Sequence, residues 1–92
     1  MNAAKILERM RRRKDGWKPE DFDRLYTGFG FVKEEGGNHT TYIHKQYKLV
    51  VQVARHRILA TGYAVTAVKT IDRLIGLQAA EGGANGEQTT NC

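Results

Sequence analysis

At 92 residues the chain is one small domain, burying roughly 60–65% of its unfolded surface, with no room for a second core. Hydrophobic residues at 40% and charged ones at 27% argue against wholesale disorder; the only cysteine, Cys92, rules out a disulfide framework or a Cys-x-x-Cys metal site. The formal net charge is +5, and setting aside Glu81 and Glu87 leaves 15 bases against 8 acids, or +7, on residues 1–80. Such an excess favours a polyanionic partner, nucleic acid ahead of membrane, although solubility alone would also account for it.

Asn2 is placed to cap a first helix in which Ala3, Ile6, Leu7 and Met10 form one apolar stripe. Arg11, Arg12, Arg13 and Lys14 follow at its C-terminal turn, where cations complement the helix dipole, and Asp15-Gly16 ends it. That reading, with a solvated basic face, is preferred over an RNA contact. Pro19 suits the first position of a second helix, with Glu20 and Asp21 in its first turn and Phe22, Leu25, Tyr26 and Phe29 on one stripe. Gly28 and Gly30 in "GFGF" read as a helix stop, since no third glycine or following helix makes a phosphate loop.

Three strands follow: Phe31 to Glu35, His39 to His44 and Tyr47 to Ala54. A two-residue loop at Lys45-Gln46 would pair Tyr42 with Leu49 and Thr40 with Val51. Thr40, Tyr42, Tyr47, Leu49, Val51 and Val53 would then face the core, leaving His39, Thr41, Ile43, Lys48, Val50 and Gln52 outside. Thr61 can cap a last helix running to about Leu77, with Ala64, Val68, Ile71 and Ile75 on one side and Ala67 and Leu74 adjoining. Residues 81–92 are polar and without period, and are expected to be a disordered tail behind a single domain of residues 1–80. The expected class is α+β, a three-stranded antiparallel sheet with helices on one face in the order α-α-β-β-β-α. No apolar run would span a bilayer and no signal-peptide layout opens the chain, so a cytoplasmic protein without membrane contact is expected.

Gly36-Gly37-Asn38 is first a turn, and turn formation explains all three residues. It does not explain His39 directly after. The three histidines, His39, His44 and His56, match no zinc spacing, and His39 and His44 point to opposite faces of one strand. The chain has no serine, which removes a serine triad.

The stretches "GFGFVKEEGGNHTTYIH", "KLVVQVARHR" and "YAVTAVKTIDRLI", over roughly residues 28–77, resemble the HicA family of mRNA interferase toxins. That family joins an aromatic-glycine segment to a Gly-Ser-His turn, a Val-x-Val-Pro-x-His strand end and a closing helix. Asn38 stands where the family has serine, and Ala54 where it has proline. The resemblance implies a double-stranded-RNA-binding-like fold and His39 as catalytic histidine, with Gly37 and His56 on the family's glycine and second histidine. It also implies a HicB-type antitoxin as partner. No metal or other cofactor is expected, because RNA supplies its own nucleophile, the 2′-hydroxyl, and a neutral imidazole can take that proton. Gly37, Asn38, Lys48, Arg55, His56 and Arg57 are the expected RNA contacts, the cations holding phosphates. Ile43 and Val50 on the outer face would suit docking of the antitoxin or a second copy of the chain. The alternatives are a non-cutting RNA-binding module of the same fold and a protein-interaction domain.

Overall fold

The computed structural model describes residues 2–55 and 59–85. Helix α1, Ala3–Arg12, begins where the Asn2 Oδ1 accepts the Lys5 backbone N–H at 2.9 Å, satisfying one of the free donors of the first turn. Its stripe buries Ile6, Leu7 and Met10. Helix α2, Pro19–Gly28, starts at the proline, and the Asp21 carboxylate accepts the Lys18 N–H at 3.0 Å. Gly28 is the last residue of α2 and lies against α1, so that a Cβ there would overlap the Ala3 Cβ.

Strands β1, Val32–Gly36, β2, His39–His44, and β3, Leu49–Ala54, form an antiparallel meander in the order β1-β2-β3. Phe31, expected to open the first strand, instead turns into the core, and its N–H donates to Tyr26 O at 3.0 Å. The β2–β3 connection is four residues, Lys45 to Lys48, rather than two. Tyr42 therefore pairs with Val51 and Thr40 with Val53, two positions beyond the expected register. Because strand side chains alternate with a period of two, a shift of two keeps every face. Thr40, Tyr42, Val51 and Val53 are buried, while His39, Val50 and Gln52 are exposed. Tyr47 lies in the turn, half-buried.

Helix α3, Thr61–Asn85, takes in Thr61, the residue expected to cap a helix opening at Gly62, and buries Ala64, Ala67, Ile71 and Leu74, leaving Ile75 40% exposed. It also runs beyond the boundary expected at residue 80. Ala79 and Ala80 are strong helix formers, and the Glu81 carboxylate accepts the Tyr47 hydroxyl at 3.1 Å and the Gln46 side-chain amide at 3.3 Å. The rest of the expected tail, residues 86–92, lies outside the described residues. The three helices and the inner sheet face enclose one core, centred on Phe22, Tyr26, Tyr42 and Ile71. The protein is α+β, with three helices and a three-stranded antiparallel sheet. No described helix is long and apolar enough to cross a membrane.

Candidate functional site

The β1–β2 hairpin closes through two residues, Gly37 and Asn38. Gly37 has φ +55, in the loop position that a type II′ turn gives to glycine, and space for a Cβ is open there, so backbone conformation alone selects the residue. His39 is the first residue of β2, paired with Gly36 on one side and Ala54 on the other. Its side chain is exposed on the outer face, and among the described residues no hydrogen bond or ion pair holds the imidazole.

Arg55 secures this turn from the far side. Its N–H donates to Asn38 O at 3.2 Å, its Nε–H to the Thr40 hydroxyl at 3.4 Å, and its terminal nitrogen to the Glu35 carboxylate at 3.0 Å. These partners flank His39 in the chain, before and after. The Arg55 side chain thus lies with Thr40 and Glu35 toward the helices, opposite the face of His39, and its charge is already paired. It belongs to a polar ladder in which Lys33 bridges Asp23 at 3.2 Å and Glu35 at 3.7 Å, and the Tyr42 hydroxyl donates to Asp23 at 3.0 Å. The hydrogen bond to Asp23 comes first among the causes that raise the Lys33 pKa.

The other expected site residues divide. Lys48, with φ +58 in the β2–β3 turn, is at the opposite end of the sheet from His39. Five residue steps along β2 separate the two ends, roughly 17 Å at the rise of an antiparallel strand. A phosphate within reach of His39 is therefore beyond Lys48. His56 and Arg57 lie outside the described residues. His44 faces the core, 7% exposed, with its ring 5.2 Å from that of Phe31 and 5.3 Å from that of Tyr47. Its close neighbour Gly30 has φ +93, and a Cβ there would come within 3.2 Å of the His44 Nε2. The second glycine of "GFGF" thus makes room for a packed histidine as well as stopping a helix.

The outer face reads in cross-strand rows. Val32, Ile43 and Val50 form one row, Glu34, Thr41 and Gln52 the next, and Gly36, His39 and Ala54 the last. Val32 is 45% and Val50 61% exposed, so the aliphatic row sits at the end of the face away from His39 rather than beside it. Among the described residues no group of three His, Cys, Asp or Glu side chains is arranged to hold a metal ion.

Sequence reasoning passed over Trp17. It packs against the core, its indole N–H donates to Arg13 O at 2.8 Å, and it lines a surface cleft of about 330 Å³ with Arg9, Arg12 and Arg13 and the carboxylates of Asp15 and Asp21. A single tryptophan amid a basic run was the signal available. Comparison of the chain with protein-family models, with curated proteins and with solved structures finds no match in any of the three.

Proposed function

We propose that the protein is a HicA-like endoribonuclease, acting on single-stranded mRNA without a metal, with His39 as general base. The observation that carries this reading is the exposed imidazole at the first residue of β2, without a partner among the described residues and beside a turn secured from behind by Arg55. A base must reach the proton it removes, and His39 has open solvent over it for an RNA strand to occupy. The imidazole accepts the 2′-hydroxyl proton as that oxygen attacks the adjacent phosphorus. The P–O5′ bond breaks as the leaving O5′ takes a proton from water, and a cyclic phosphate and a 5′-hydroxyl end result. Arg55 acts in this scheme through the turn rather than on a phosphate. The α-α-β-β-β-α order is compatible with the double-stranded-RNA-binding-like fold that the resemblance implies. A HicB-like antitoxin, or a second copy of the chain, would find in the Val32, Ile43 and Val50 row an apolar surface to cover.

A second reading, RNA binding without cleavage, draws on the neighbours of His39 within the sheet. Gly36, Ala54, Thr41 and Glu34 share its face, and none is a cation that would steady a transition-state phosphate. Replacing His39 separates the two. His39→Ala and His39→Gln should each lower the rate of RNA cleavage by about 10²–10⁴-fold while leaving RNA affinity and thermal stability near those of the parent. Glutamine retains a hydrogen bond but accepts no proton at neutral pH. Cleavage products are read for cyclic phosphate and 5′-hydroxyl ends. Undiminished cleavage by both variants would sink the nuclease reading, and binding without any cleavage by the parent would select the second.

A further inference from the structure

Residues 9–18 contain six bases, Arg9, Arg11, Arg12, Arg13, Lys14 and Lys18, against one acid, Asp15. Six minus one is +5, as large as the formal charge of the whole chain. A helix C-terminus presents about half a negative charge, which one cation offsets. Of these bases, Arg11 is held by Asp72 and Lys14 donates to the Arg11 carbonyl, whereas Arg9, Arg12 and Arg13 gather beside the tryptophan.

The arrangement is a cleft between the last turn of α1 and the α1–α2 loop. Trp17 is half-buried at its wall, and the bond from its indole N–H to Arg13 O fixes the ring's orientation. Gly16, with φ +80, folds the loop back so closely that a Cβ there would come within 3.3 Å of the Arg13 guanidinium. Arg13 is paired with Asp15 at 3.0 Å. Arg9 has no acidic partner among the described residues, and Arg12 pairs with Glu8 at 3.5 Å through side chains 75% and 67% exposed, a contact that costs little to exchange. The cleft lies on the helix side of the sheet, toward the end that carries the His39 turn. The Leu59 N–H donates to Trp17 O at 3.0 Å, and Pro19 and Glu20, just beyond Trp17, line a depression shared with Glu35, Thr40 and Arg55.

We infer that this cleft is a second RNA contact: Arg9 and Arg12 each hold a backbone phosphate, and Trp17 offers the exposed part of its ring to a base. The inference rests on RNA being the polyanion that the proposed function names, and extends the path of the strand from His39 past the end of the sheet to its helix side.

The test uses the full chain carrying His39→Ala, titrated with a single-stranded RNA oligonucleotide while the fluorescence of Trp17, its only tryptophan, is followed. Saturable quenching is expected. Adding Arg9→Gln and Arg12→Gln should make the slope of log affinity against log salt shallower by about 1.4, two contacts at about 0.7 each. The charge-matched pair Lys45→Gln and Lys69→Gln should leave the slope as it was. Binding without quenching, or an equal change of slope in both double variants, overturns the inference. So does quenching by anionic phospholipid vesicles but not by RNA. Cleavage that depends on His39 without Trp17 quenching removes this site alone. Quenching with the expected slopes, in a protein whose parent never cuts RNA, removes the nuclease reading alone.

Discussion

Tyr42 joins the sheet to the helices at a single side chain. It is 2% exposed, its ring stacks on Tyr26 with centroids 4.9 Å apart, and its hydroxyl reaches Asp23 on α2. Tyr42→Ala should cost about 3–5 kcal/mol, a large share of the stability of so small a domain. Ile43→Thr, one residue on and facing outward, should stay within about 1 kcal/mol. Urea unfolding of the two variants measures the difference, and an equal or larger loss at Ile43 would show that the outer face is packed against something in solution. Burial first, and the hydrogen bond to Asp23 next, push the Tyr42 phenol above the usual tyrosine range. A raised folded value means that this contribution is whole below the unfolded phenol's pKa, about 10, and is lost as pH rises through the folded value. Tyr42→Phe should therefore unfold at higher pH than the parent when their neutral-pH stabilities are matched with urea.

Between elements, α1 and α2 approach closely at Ala3 and Gly28. Alanine is the better helix former, yet Gly28→Ala should destabilise by about 1–3 kcal/mol because the new methyl has no space. Adding Ala3→Gly should recover most of that loss, and thermal unfolding of the four proteins reads the coupling as a cycle. A loss that Ala3→Gly leaves untouched would place the conflict elsewhere. Elements were legible in the sequence where their causes are local. Asn2 and Pro19 mark helix starts through the chemistry of the first turn, and alternation alone sorted the faces of β2 and β3. Loop length was not legible, because the β2–β3 turn depends on Lys48 adopting a left-handed conformation that lysine does not advertise. The end of α3 escaped for a related reason, since Glu81 finds its partners on a turn 34 and 35 positions away. At the candidate site, Gly37 and Asn38 announced an exposed His39. The engagement of Arg55 with Glu35 and Thr40 required the register, and the distance of Lys48 from His39 required only the length of β2.

Across the whole molecule, one ion pair connects residues far apart in the chain. Arg11 on α1 and Asp72 on α3 meet through two bonds, one of them from NH1 to Oδ2 at 2.8 Å. The hydrogen bond from Arg11 is the main cause holding the Asp72 carboxyl below its usual range, and Arg13 does the same to Asp15. A depressed folded value gives stability that is present above the unfolded carboxyl's pKa, about 3.9, and is lost as pH falls through the folded value. Asp72→Asn should accordingly lose less stability than the parent between pH 7 and strong acid, measured by urea unfolding at each pH; an unchanged difference would show the pair to be fully screened. The sheet, by contrast, assembles from neighbours: its strands lie in chain order, joined by connections of two and four residues. Chains whose contacts are mostly local fold quickly, and contacts made after the barrier alter only the rate of escape from the native state. The clasp between α1 and α3, spanning 61 positions of the chain, is expected in that late group. Stopped-flow mixing should show Asp72→Asn unfolding faster while refolding at the parental rate, whereas slower refolding would mean that the helices dock before the barrier is crossed.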